Sequence, residues 1–189
     1  MAPSSSSNAV EQGSPLLTSC TLTEVKHQRI CASVLALTAS VACTTVPPLA
    51  HTHSSPSSLA SAVLDALARS DRVGLETLAL NETEFRDHVW PQLPASRPER
   101  NLPFSYVWGE LRQKSAQSLT SLLSREGGKR YELIEVRFAA DSDYRSYRVH
   151  RETVFHVRDA SGMESDLRVC GSLLEQDGTW KVFSYVVGD

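Results

Sequence analysis

Regular alternation of apolar and polar positions begins at Leu59, and the segments that follow read first as helices, then as strands. Ser57 and Ser58 offer side-chain caps, and Leu59, Val63 and Leu67 recur at helical spacing, which predicts a helix ending near Ser70. Asp71 is placed to cap a second short helix with Leu75, Leu78 and Ala79 inward. Asn81 starts a third turn within NETEFRDHVW, stopped by Pro91. A proline-rich surface loop, PQLPASRPERNLP, leads into a long helix over residues 104–125. Phe104, Trp108, Leu111, Leu119 and Leu122 form its apolar stripe, and Gly127-Gly128 ends it.

From Arg130 the period becomes two. In YELIEVRF, alternation puts Ile134, Val136 and Phe138 on one face. Asp141-Ser142-Asp143 reads as a turn. In YRVHRETVFHVRD, Tyr147, Val149, Thr153, Phe155 and Val157 share a face. Ala160-Ser161-Gly162 turns the chain into MESDLRVCGSLLEQ, where Gly171 marks a bulge or bend. Gln176-Asp177-Gly178 is a tight hairpin turn, and TWKVFSYVV is apolar on both faces. Helices followed by an antiparallel meander of four long strands make an α+β fold.

Composition changes the picture mainly at the N-terminal side. Residues 1–25 and 44–58 are rich in Ser, Pro and Thr, too poor in apolar groups to offset the entropy of ordering. The net charge of −3 gives no basic field, so nucleic acid is not expected as a partner.

Between these stretches, Lys26 and Arg29 precede an uncharged run from Ile30 to Ala42, which has the length of a signal-peptide core and is shorter than a membrane span. Ser40 and Ala42 place small residues before Cys43. The run resembles a bacterial lipoprotein signal with Cys43 as the lipidated residue, although Ser40 stands where that pattern usually has Leu or Val; secretory cleavage after Ala42 is the alternative. Domain boundaries follow: a doubtful extension over 1–24, a signal peptide over 25–42, a flexible linker over 43–56 and a folded domain over 57–189. Of the four cysteines, Cys20, Cys31 and Cys43 fall before the domain, which leaves Cys170 without a partner and reads as an inert buried thiol.

The segments ARSDRVGLETLALNETEF and LLEQDGTWKVFSYVV, set in this order of helices and meander, resemble the nuclear transport factor 2-like, or cystatin-like, superfamily over about residues 57–189. The resemblance implies a cone in which a strongly bent antiparallel sheet wraps the helices around a pocket. It implies no single function, because that fold hosts isomerases, cyclases, dehydratases and binding modules alike.

Within such a pocket, Arg151 is expected to point inward beside Val149, Thr153 and Phe155, with Tyr106, Trp108, Tyr147 and Tyr185 as hydrogen-bonding or stacking walls. No carboxylate is clearly placed as a base, so no catalytic residue is assigned. His150, Glu152 and His156 share one face that reads as exposed; His150 and His156 lie about 20 Å apart along a strand and cannot share an ion. Asp166 beside Arg168 reads as a surface pair. No metal or cofactor is expected. The last strand, apolar on both faces, points to a homodimer through the sheet.

The sequence therefore leads to a non-catalytic, lipid-anchored envelope module that binds a small apolar or acidic ligand or a protein partner. A pocket isomerase, dehydratase or cyclase and a structural subunit of an envelope assembly are the alternatives. Replacing the acyl acceptor, Cys43→Ser, is expected to move the protein from the membrane to the soluble fraction with the domain still folded. Unchanged fractionation with an unprocessed mass would refute the anchor.

Overall fold

The computed structural model describes residues 46–186; the expected extension, the signal peptide, Cys43 and Val187 lie outside them. The first helix, α1 (Pro56–Ala68), starts at least two residues earlier than the capping serines Ser57 and Ser58 suggest. Ser55 is the N-cap, its hydroxyl accepting from Ser58 N, and Pro56 takes the first helical position, where its missing N–H costs nothing. The expected face is buried: Leu59, Val63 and Leu67 are fully enclosed, each burial stabilising by about 1.5–3 kcal/mol. Helix α2 (Arg72–Leu78) is capped by Asp71 and buries Leu75. Helix α3 (Glu82–Glu84) opens with a capping box in which Asn81 and Glu84 satisfy each other's backbone N–H groups. It runs into a π-helical turn, Phe85–Val89, and then a tight turn, Trp90–Gln92, that contains Pro91. Helix α4 (Phe104–Glu126) is the long helix, with Leu119 and Leu122 fully covered.

The α+β class is as expected, but the meander is cut into shorter pieces. Strands β1 (Tyr131–Arg137), β2 (Ala140–Asp143), β3 (Arg148–Arg151), β4 (Val154–Asp159), β5 (Glu164–Leu167), β6 (Cys170–Gln176) and β7 (Thr179–Tyr185) form two antiparallel sheets, ordered β1-β4-β5 and β2-β3-β6-β7. The second and third long segments each give one strand to each sheet. Residues 141–143, expected as a turn, instead pair with β3. The break between β3 and β4 falls at Glu152, whose φ of 54° lies in the left-handed region, and Glu152 N donates to Gly171 O. Gly171 sits at the expected irregularity of β6; a side chain there would meet Val186 and Ser184.

These breaks overturn two facing assignments. In β1 the register shifts between Leu133 and Glu135, so Leu133 and Val136 pack on the core and Ile134 is exposed. The same mechanism, one extra residue in a strand, reverses alternation beyond it. At Glu152 the face that carries Thr153, Phe155 and Val157 does not continue to Arg151, which is exposed, whereas His150 is buried.

Strand β7 is covered on both faces from within the chain. Trp180 and Val182 pack into the cluster built on α1, while Phe183 packs with Phe85 and Trp108. Its outer edge is covered too: Trp180 exchanges backbone hydrogen bonds with His53, and Leu80 N donates to Val182 O. Two-sided apolarity thus needs no second subunit here.

Between Trp180 and Val182, Lys181 is fully buried, and its Nζ donates to Glu84 Oε1 at 2.8 Å and to Ala50 O at 2.6 Å. Ala50 N donates to the same Glu84 oxygen. Residues 47–53, read as linker, are in this way fastened to the domain. Burial pushes the Glu84 carboxyl up, but the Lys181 hydrogen bond, the Asn81 and Ala50 N–H groups and the Lys181 charge outweigh it and hold Glu84 below its ordinary value. A carboxylate depressed in the folded state stabilises above its unfolded value and loses that contribution as pH falls. Denaturant titrations should therefore show stability declining as pH drops below about 4.3, and Lys181→Met, which strands Glu84, should cost about 3–5 kcal/mol at pH 7. Adding Glu84→Gln should recover part of that loss; a double variant as unstable as the sum of the singles would mean that the pair is not coupled.

Candidate functional site

A cleft of about 330 Å³ opens between the α2–α3 junction, α4 and β7. Its walls are Trp108 and Leu119 of α4 and Phe183 and Tyr185 of β7, and the small residues Ala79 and Ala116 leave the space between them. Helical spacing puts Trp108, Arg112, Ser115 and Ala116 along the side of α4 that faces β7. The aromatic wall is braced from behind, since Phe85 lies 5.3 Å from Trp108 and 6.3 Å from Phe183, ring centre to ring centre. Tyr185 is fixed by two bonds: its hydroxyl donates to Leu75 O at 2.6 Å, and its backbone N–H donates to Ser115 Oγ at 3.1 Å. Burial, with smaller contributions from Cys170 and Glu76, raises the Tyr185 phenol well above its ordinary value, so it stays a protonated donor.

Three charged side chains border the cleft. Glu76 is paired with Arg72 at 2.9 Å and Glu82 with Arg86, both at i,i+4 spacing on their helical turns. Arg112 is exposed and makes no ion pair among the described residues. Each acid is thus paired with a neighbouring arginine, and one guanidinium without an ion pair among the described residues stands at a mainly apolar cavity.

Of the five residues expected to line a pocket, the cleft brings together Trp108 and Tyr185. Tyr106 is 59% exposed on the far side of its helix turn. Tyr147 is buried elsewhere, stacked on Tyr144 with ring centres 4.5 Å apart, its hydroxyl donating to Val89 O. Arg151 lies at an exposed strand end, paired through backbone with Ala140 and Ser172, outside the cleft. Arg112 takes the place expected for it. Arg112 was not among the residues expected at a pocket; its position one helical turn after Trp108 is the signal that could have found it.

His150 is the larger surprise. Its Nδ1 lies 2.8 Å from Asp141 Oδ1 and its Nε2 3.0 Å from Glu175 Oε2, and its ring packs against Phe138 and Trp180 at 4.7 and 4.6 Å, the two rings themselves lying 6.0 Å apart. Both nitrogens are engaged, so the ring clasps β2, β3 and β6 together and presents no nitrogen to a substrate. His156 lies in the other sheet, bonded to Asp166. Asp166 pairs with Arg137 and His156 rather than with Arg168.

The carboxyl groups of Glu84, Glu126, Asp159, Glu164 and Asp166 are all held below their ordinary values. Burial raises Glu84 and Glu126 but is outweighed by hydrogen bonds from Lys181 and Tyr131 respectively; the Ser161 hydroxyl, Arg158 and His156 lower the other three. A general base working near neutrality needs the opposite displacement. Among the described residues no helix is long and apolar enough to cross a membrane. Set beside known proteins, the chain matches no protein family, no curated protein and no solved structure.

Cys170 is 1% exposed, and burial pushes its thiol far above the ordinary range. It should resist a water-soluble disulfide reagent at pH 8 in the native protein and react at once in denaturant. Rapid native labelling would show that the strand end opens.

Proposed function

We propose that this chain is a cell-envelope lipoprotein, exported and anchored through Cys43, whose domain binds a small ligand with an apolar body and an acidic head. The order of helices then meander supports the further reading that the domain is a nuclear transport factor 2-like relative. The observation that carries the binding proposal is Arg112: a guanidinium without an ionic partner among the described residues, beside an apolar cleft whose acids are already paired. An apolar wall of Trp108, Leu119 and Phe183 receives the body of the ligand. The planar guanidinium takes a carboxylate through two parallel hydrogen bonds. Ser115 and Asn81 supply further polar contacts at the border.

A binding role is favoured over acid–base catalysis because both acids that border the cleft are already paired with arginines. Glu76 is held by Arg72 and Glu82 by Arg86, each one helical turn away.

Calorimetric titration with fatty acids, bile acids and aromatic carboxylates tests this reading. At least one class should bind, and Arg112→Leu should weaken it about tenfold or more, the worth of one charge-assisted bond, with the fold intact because Arg112 is exposed. Ala116→Leu should block binding by filling the cleft. If no class binds, or if Arg112→Leu binds as tightly as the parent, the cleft is not an acid-ligand site and a protein-interaction role becomes the better reading.

A further inference from the structure

The segment in front of α1 is anchored to the domain far more firmly than a linker requires. Pro47 O accepts from His88 Nε2 at 2.8 Å, Ala50 is held on both its N–H and its carbonyl by the Glu84–Lys181 pair, and His53 bridges to Trp180. Four attachments within seven residues fix where the chain leaves the domain. Only Thr44, Thr45 and Val46 separate Pro47 from Cys43. At full extension this tether reaches about 14 Å.

The exit point has a definite place in the fold. Val46 and Pro48 line a second cleft, about 470 Å³, together with Ser146 from the β2–β3 turn, Asp177 from the β6–β7 turn and Thr179 at the start of β7. All three segments therefore meet at one end of the strands. The β4–β5 turn, Asp159–Met163, lies at the other end, beyond residues 148–159, about 35 Å of strand path.

We infer that the domain stands on the lipid surface with its Ser146–Asp177 end down, held there by a tether too short to let it turn over. This inference rests on the proposed anchor at Cys43 and adds the orientation. A flexible linker of residues 43–56 would let the domain tumble; the clasp at Ala50 removes most of that length. One consequence concerns the ligand cleft. Phe183 and Tyr185 lie four and six residues along β7 from Thr179, so the cleft is kept roughly 13–20 Å above the membrane-facing end.

The test uses the processed, lipidated protein in phosphatidylethanolamine–phosphatidylglycerol vesicles that carry a rhodamine-labelled headgroup. A donor dye is placed on Arg145→Cys, in the β2–β3 turn, or on Ala160→Cys, in the β4–β5 turn; both positions are exposed, and the buried Cys170 will not compete. Energy transfer to the headgroups should be at least twofold greater from position 145 than from position 160. Inserting 20 Gly-Ser residues between Thr45 and Val46 should abolish the difference. A lipidated protein with equal transfer from the two positions would overturn the orientation alone. An unmodified mass at Cys43 would overturn the anchor reading, and the orientation with it.

Discussion

A strand that is apolar on both faces has to be covered on both, and the placement of β7 organises the domain around that demand. Trp180 and Val182 require α1 on one side; Phe183 requires Phe85 and α4 on the other. Lys181, lying between them, must take its ammonium out of water on the second side. An unpaired charge there would be prohibitive. Glu84 is therefore delivered to it at the end of a three-residue helix whose capping box also fixes the carboxylate. The second Glu84 oxygen accepts from Asn81 N, so both oxygens are satisfied and the pair is matched on each side.

From this arrangement the candidate site follows. The α2–α3 junction is drawn against β7 by the Leu80–Val182 backbone bond and the Glu84–Lys181 pair, while α4 crosses the far part of the strand. Past Lys181 the packing is incomplete, because Ala79, Ala116 and Ser115 are too small to close it. The resulting cleft is rigid on the strand side and braced by Phe85 on the aromatic side. Its polarity is set by local pairing: arginines one turn away absorb the glutamates, and Arg112 has no acid at matching spacing.

The polar interior of the sheets follows a separate logic. His150 joins Asp141 and Glu175, residues 9 and 25 positions away, under two aromatic rings. Its bonds cross three strands at the point where the backbone leaves regular pairing at Glu152. A polar residue at the break tolerates the distortion because it carries its own hydrogen-bond partners, whereas an aliphatic side chain would only lose contacts.

Local signals were enough for the elements. Asp71 and Asn81 as caps, Leu59, Val63 and Leu67 as one helical face, Gly127 at a helix end, Gly171 at an irregularity and Asp177-Gly178 in a tight turn all act over a few residues, so the sequence alone determined them. The inward or outward facing of strand residues was not legible past a break, because one extra residue at Ile134 or one left-handed residue at Glu152 reverses the alternation without changing composition. That is why Arg151 was expected inside and stands outside, and why His150 was expected outside and is buried. The site was legible only in Trp108 and Tyr185, which their own helix and strand patterns place. Which charge meets it, which acid meets Lys181 and whether residues 47–53 are linker or fold depend on partners 34 to 131 positions away. Those pairings exist only once the chain has closed on itself, and tertiary structure alone decided them.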